Sequence, residues 1–194
     1  ELGYDIKLLA IAERTDGGVS VRVHPCFIHG DQQLANVHGS FNALSVYGHA
    51  TGHTMYFGRG AGQMPTASAV VSDLLNVASG WYPKAFASMN LWPDRGQSST
   101  IADAADLQGR FYLRVNAMDV PGIMASITHA LGEAGISIAA VLQHEENQGK
   151  FVPVVILTHN ARQGAIDQAA AAIEKMDCIE GPPIVIRVVE FPEA

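Results

Sequence analysis

The chain has 194 residues, 48% hydrophobic and 16% charged, with a formal net charge of -7, enough for one large or two small domains with cores of their own. The 12 basic residues are scattered against 19 acidic ones, which argues against nucleic acid or an anionic membrane surface, since both demand clustered Lys and Arg. No apolar run approaches the roughly 20 residues that cross a bilayer, and the N-terminus lacks a signal-peptide pattern. Cys26 and Cys178 are isolated, so they fit a reducing cytosol rather than a disulfide framework or a metal spacing. A soluble cytoplasmic protein is expected.

Residues 4 to 13 place Ile6, Leu9, Ala10 and Ala12 at helical spacing, so a helix is expected there. It has no start methionine and no capping run before it, which suggests a piece of something longer. Asp16-Gly17-Gly18 is a turn signal, and Val19 to Pro25 alternates apolar and polar residues as a half-buried strand does. Residues 28 to 38 read as a polar loop around Gly30-Asp31. Asn42 to Tyr47 and Thr54 to Phe57 read as two more strands. Gly58-Arg59-Gly60-Ala61-Gly62 leads into a helix from about Pro65 to Ala78, with Thr66 as a cap and Val70, Leu74, Leu75 and Ala78 as its apolar stripe.

Residues 81 to 109 lose periodicity around Pro83, Pro93, Gly96 and Ser98-Ser99-Thr100, and read as a linker or an irregular crossing segment. The domain boundary is placed near residue 105, which gives segments 1-80, 81-105 and 106-194. The second half alternates strand and helix. Phe111 to Val115 is a strand and Asp119 to Gly122 a turn. Ile123 to Glu133 is a helix with Ile123, Ile127, Ala130 and Leu131 on one face. Gly135 stops it at a position where φ > 0 is usual. Ile136 to Gln143 and Val152 to Thr158 are strands around a polar turn from Glu145 to Lys150. Gln163 to Lys175 is a helix with Ile166, Ala170 and Ile173 inward, and Ile184 to Val189 is the last strand. The order βαββαβ is the ferredoxin-like plan. The fold class is therefore α/β (α+β), a mixed-sheet first part followed by a βαββαβ domain.

Gly58-x-Gly60-x-Gly62 lies between a strand and a helix, where backbone N–H groups can meet an anion. It departs from the dinucleotide fingerprint, because no third glycine follows three residues after the second. It is either a tight turn or a loop touching a cofactor held mainly by another domain. Asp119-x-Pro121-Gly122 sits inside the complete βαββαβ frame. Pro121 suits the first turn of the helix, Gly122 lets a ligand approach the backbone, and Asp119 either caps the helix or binds an ammonium group. Pairing two such domains would close an exposed sheet edge and create a small-ligand site between them. His49-x-x-x-His53 has the spacing of a helical zinc pair but spans a loop or hairpin, and His24, His29 and His38 are dispersed. No metal site and no catalytic residue is assigned, since neither a Ser-His-Asp nor a supported Cys-His arrangement occurs.

Leu34 to Ala43, then Gly58-Arg59-Gly60-Ala61-Gly62-Gln63-Met64-Pro65-Thr66-Ala67-Ser68-Ala69-Val70, resemble the end of the homoserine dehydrogenase catalytic and dimerisation region. Phe111 to Val189, with Asp119-x-Pro121-Gly122 and Gly135-Ile136-Ser137-Ile138, resembles the ACT domain that follows it in many bacterial members. The resemblance implies a parent oxidoreductase that interconverts aspartate semialdehyde and homoserine with NADPH or NADH, in threonine, methionine and isoleucine biosynthesis. It implies that the cofactor domain and the proton-transfer groups precede Glu1, so this chain alone holds no cofactor and is inactive. Gly62 matches a glycine that contacts the nicotinamide cofactor, with Gly60 and Ala61 beside it, and Thr66 opens the helix beneath. Gln32-Gln33 stand where many members have His-Pro. For the ACT half, the resemblance implies a regulatory amino acid, threonine as end product, held by Asp119 and Gly122, with Ser137 and Ile138 facing it across a dimer interface. A homo-oligomer, dimer or tetramer, is expected. The alternative is a non-catalytic amino-acid-sensing or dimerising ACT module.

Overall fold

The computed structural model describes residues 2–16, 18–90, 100–143 and 150–191. In chain order the first half gives β1 (Tyr4–Thr15), β2 (Gly18–His29), a 3-10 turn (Gln33–Asn36), β3 (Phe41–Gly48), β4 (Gly52–Arg59), α1 (Gln63–Ala78) and α2 (Trp81–Ser88). The second gives a 3-10 turn (Ala104–Asp106), β5 (Gln108–Met118), α3 (Ile123–Glu133), β6 (Ile138–Gln143), β7 (Phe151–Thr158), β8 (Ala161–Arg162), α4 (Gln163–Glu174) and β9 (Ile184–Val189).

The chain divides into two compact units. One joins the β1–β2 hairpin to the elements from β5 to β9, and the other contains β3, β4, α1 and α2. In the first, β9-β5-β7-β6 is the sheet of the ferredoxin-like plan, and β1 and β2 extend it beyond β9. β5 runs antiparallel to β7 and β9, with Leu113 opposite Ile156 and Val185. Odd-numbered residues of β5 face α3 and α4, so Phe111, Leu113, Val115 and Ala117 are buried with Ile127, Leu131, Ile166 and Ile173. Ile166 and Ile173 of α4 point inward as expected, but the alanine buried between them is Ala169, with Ala170 half-buried. Gly135 has φ 71 and its N–H reaches the Gly132 carbonyl, as a left-handed helix stop does.

Residues 4 to 13 form a strand, not the expected helix. β1 pairs antiparallel with β2 over its whole length, from Tyr4 opposite His29 to Thr15 opposite Gly18. The run Leu8 to Ala12 is apolar at every position, so periodicity alone fits either structure, and pairing across the Asp16 turn decides. Gly17 of that turn lies outside the described residues, as does most of the expected 145 to 150 turn. The expected 28–38 loop contains a 3-10 turn with Ala35 buried. Residues 81 to 88, expected to be irregular, are the helix α2. Gly80 turns the chain with φ 71, and Pro83 sits in the first helical turn, where no amide hydrogen is required.

In the second unit β3 and β4 make a hairpin in full register, from Phe41 opposite Arg59 to Gly48 opposite Gly52. Phe41 and Phe57 stack at 4.9 Å, with the Arg59 guanidinium 5.1 Å from the Phe41 centroid. α1 and α2 are tied by a 2.8 Å hydrogen bond from the Tyr82 hydroxyl to Asp73. The expected apolar stripe of α1 is exposed at Val70, Leu74 and Leu75.

Candidate functional site

The glycine-rich turn forms as β4 ends. The Gly60 N–H donates to the Ser40 carbonyl at 3.0 Å, and a Cβ on Gly60 would fall 1.9 Å from Asn42 Nδ2. A side chain at 60 would therefore displace the exposed Asn42 side chain. Gly62 is the N-cap of α1 with φ 129, outside the range that L side chains favour. The helix therefore starts at Gln63, earlier than expected. Thr66 does not cap it but lies within its first turn, donating its N–H to the Gly62 carbonyl at 3.0 Å. Ala61 lies between these two constrained glycines. Residues 60 to 64, around the start of α1, are all exposed.

The loop after β5 is the second candidate. Gly122, not Asp119, is the N-cap of α3, with φ 92, and no side chain caps the helix. Pro121 accordingly precedes the cap instead of occupying the first turn. Asp119 Oδ1 accepts a 3.4 Å hydrogen bond from Gln143 Nε2 at the end of β6, and the Asp119 N–H donates to the Lys150 carbonyl at 2.9 Å. The carboxylate thus meets Gln143 rather than the N-terminus of α3. Ser137 and Ile138 stand at the start of β6, where Ile138 pairs with Thr158 and the Ser137 carbonyl accepts from the His159 N–H. Within one chain, β6 separates them from Asp119 by about 20 Å at some 3.3 Å per residue.

Further groups come together that sequence reasoning left apart. An open cavity of about 160 Å³ is lined by Asp31, Gln32, Gln33, Tyr47, His53 and Phe191 among others, so the Gln32-Gln33 pair faces a polar hollow. His53 stacks on Tyr47 at 4.5 Å, and the His49–His53 spacing belongs to the β3–β4 hairpin. Among the described residues no group of three or more His, Cys, Asp and Glu could hold a metal, and no helix is long and apolar enough to cross a membrane. His24 Nδ1 lies 3.2 Å from the Cys26 sulfur. Burial pushes the Cys26 thiol up to about 11, with Arg22 and Arg187 opposing the shift, so it is no nucleophile near neutral pH.

That shift predicts a pH effect. A raised thiol pKa stabilises the fold fully below the ordinary value of 9.0, and the contribution is lost as pH rises to about 11. The loss amounts to about 2–3 kcal/mol at most. Urea titrations from about pH 8 to about pH 11 should show this fall, and Cys26→Ala should flatten that component.

Arg187 is the feature the sequence reading missed. It is buried in a strand that is otherwise apolar, Ile-Val-Ile-Arg-Val-Val, and a lone charge in such a run is the signal that could have found it. Its Nη1 donates to the Gln108 carbonyl at 2.8 Å and its Nη2 to Gln163 Oε1 at 2.7 Å. Burial, then the charge of Arg22, lowers its pKa.

Residues 1–75 match the family model for homoserine dehydrogenase, and residues 111–177 match that for the ACT domain. A homoserine dehydrogenase from Pseudomonas aeruginosa is 39% identical over 191 residues, covering 96% of this chain and 44% of the relative. One from Neisseria gonorrhoeae is also 39% identical, covering 97% and 44%. The crystal structure of a homoserine dehydrogenase from Thiobacillus denitrificans superimposes with a TM-score of 0.84 at 38% identity, over 97% of this chain and 43% of that one. A Staphylococcus aureus homoserine dehydrogenase superimposes with a TM-score of 0.57 at 26% identity. The chain thus spans under half the length of the relatives it matches. With both family segments present in order on a shared fold, the chain belongs to the homoserine dehydrogenase family and corresponds to the C-terminal portion of its members, ending in an ACT domain.

Proposed function

We propose that this chain is the regulatory C-terminal portion of an enzyme that interconverts aspartate semialdehyde and homoserine, and that its ACT half senses threonine, the pathway's end product. The observation that carries the sensing role is the Asp119 carboxylate, released from capping by Gly122 and placed at the free edge of the sheet beside Gln143. β6 is that edge; the sheet's opposite edge is β1, beyond β2 and β9. Two copies pairing antiparallel along β6 would bring Ser137 and Ile138 of one beside Asp119 and Gly122 of the other. The two halves of the expected site, far apart in a single chain, then meet across a two-fold axis. Asp119 would take the ligand's ammonium group, and the backbone near Gly122 its carboxylate.

On the catalytic side, Gly60, Ala61 and Gly62 would line the nicotinamide cofactor, NADP or NAD. When bound, that cofactor supplies or accepts the hydride. This chain contributes close backbone approach and the start of α1. α1 carries one charged residue, Asp73, in sixteen and buries none of them, which suits a helix that packs against further protein in a complete enzyme. We keep the division into catalytic segment, linker and ACT segment near residues 80 and 105, and place the protein in the cytoplasm, where the free thiols Cys26 and Cys178 would stay reduced. Alone, the chain should turn over neither substrate.

The test is thermal stabilisation by threonine, worth about 2.7 kcal/mol at a hundredfold excess over Kd. Asp119→Ala should weaken threonine by about 10–100-fold, the effect of losing a charged hydrogen-bond partner. Unchanged stabilisation in Asp119→Ala would remove Asp119 from the site.

A further inference from the structure

β2 and β9 pair in parallel over only three residues each, Cys26–Ile28 with Arg187–Val189. This short ladder joins the hairpin of the homoserine dehydrogenase segment to the ACT sheet. Arg187, opposite Cys26, is only 7% exposed. Its guanidinium lies 4.7 Å from the Phe111 centroid and is held by the carbonyl at the start of β5 and by the first side chain of α4. Gly109 leaves room for it, because a Cβ there would fall 2.4 Å from Nη1. These hydrogen-bond acceptors are neutral. A buried arginine so held costs more to desolvate than the valines and isoleucines around it, so it is a poor choice if the ladder needed only adhesion. It does what an aliphatic residue cannot: it fixes β9, and with it β2, to the positions of two specific acceptors on β5 and α4.

We propose that Arg187 is a joint that makes the β1–β2 hairpin follow the β5–α4 layer of the ACT domain, so that a shift in that layer is passed to the homoserine dehydrogenase segment. Hydrogen bonds of 2.7–2.8 Å tolerate little displacement. A movement of α4 by an ångström or so either drags Arg187 with it or breaks a bond, which is how small shifts are converted into two discrete arrangements. The joint is a property of this chain; that threonine drives the shift rests on the regulatory reading above.

Hydrogen exchange read by mass spectrometry tests it, on the chain and on Arg187→Met, Gly109→Ala and their double variant. Each single variant should speed exchange of the β1–β2 hairpin by about tenfold or more, while Leu113–Val115 and Val154–Ile156 stay protected. The double variant should match Arg187→Met, because the added Cβ at 109 opposes only the guanidinium. An unchanged hairpin in Arg187→Met, equal loosening of hairpin and core, or additive effects would each overturn the joint. With threonine present, the chain should gain protection at both 119–122 and 26–28, and Arg187→Met at 119–122 alone. Missing protection at 119–122 in the unaltered chain would count against threonine sensing, while the variants still decide the joint.

Discussion

Phe111→Ala is expected to destabilise the unit built on the ACT sheet by about 3–5 kcal/mol, a range typical of truncating a buried aromatic ring. Phe111 is 1% exposed and lies among Leu113, Ile166 and Ile173 in the core. Its ring is also the floor beneath Arg187, 4.7 Å from the guanidinium, a cation–π contact worth about 1–2 kcal/mol when desolvated. Its N–H donates to Thr158 Oγ1 at 3.0 Å, a backbone bond that alanine keeps. The loss should therefore come from the ring alone. Phe111→Leu, which fills part of the space, should cost about 1–2 kcal/mol. Denaturant titration of the three proteins measures both steps. A loss below about 1 kcal/mol for alanine would mean that the core closes over the gap, contrary to the close packing described.

Gly18→Ala should cost about 2–4 kcal/mol, for a reason local to the hairpin turn. Gly18 has φ 126, and a Cβ there would lie 2.1 Å from the Thr100 carbonyl oxygen. The next residue fastens the hairpin: the Val19 N–H donates to Thr100 O at 2.8 Å, and the Ala102 N–H donates to Val19 O at 3.0 Å. Alanine must strain the backbone or push residue 100 away, and either movement loosens both bonds. Gly39→Ala is the control. Gly39 also has positive φ, 65, but nothing lies within 4 Å of its added Cβ, so only the left-handed cost of about 1 kcal/mol applies. Thermal melts of both variants separate the two cases, and equal shifts would contradict the clash.

The ferredoxin-like half was legible because its signals are local. The alternating Phe111 to Val115, the stripe Ile123, Ile127 and Leu131, and the Gly135 stop each specify their own element within a few residues. The glycine turn at 60 to 62 was legible for the same reason, although the approach of Gly60 to the Asn42 side chain on the neighbouring strand was not. What failed depended on distant partners. Ile6 to Ala12 satisfies a helical pattern, and the twelve-residue register with β2 makes it a strand. Asp119 could be read as a cap or as an ammonium ligand because it precedes a helix by a turn, and only the fold shows that Gly122 takes the cap position, with φ 92. Arg187 carries no motif. Its meaning lies in Gln108, Phe111 and Gln163, which reach it only once β5, α4 and β9 have assembled.

The most direct test of amino-acid sensing is calorimetric titration of this chain with threonine, with serine, methionine and isoleucine as controls. Saturable threonine binding at one site per chain, with the controls weaker, is the predicted result, since antiparallel pairing of two β6 edges creates two equivalent sites per pair of copies. No binding heat at any temperature, in a sample shown to be folded and paired, would contradict threonine sensing by this ACT domain and leave assembly as its role.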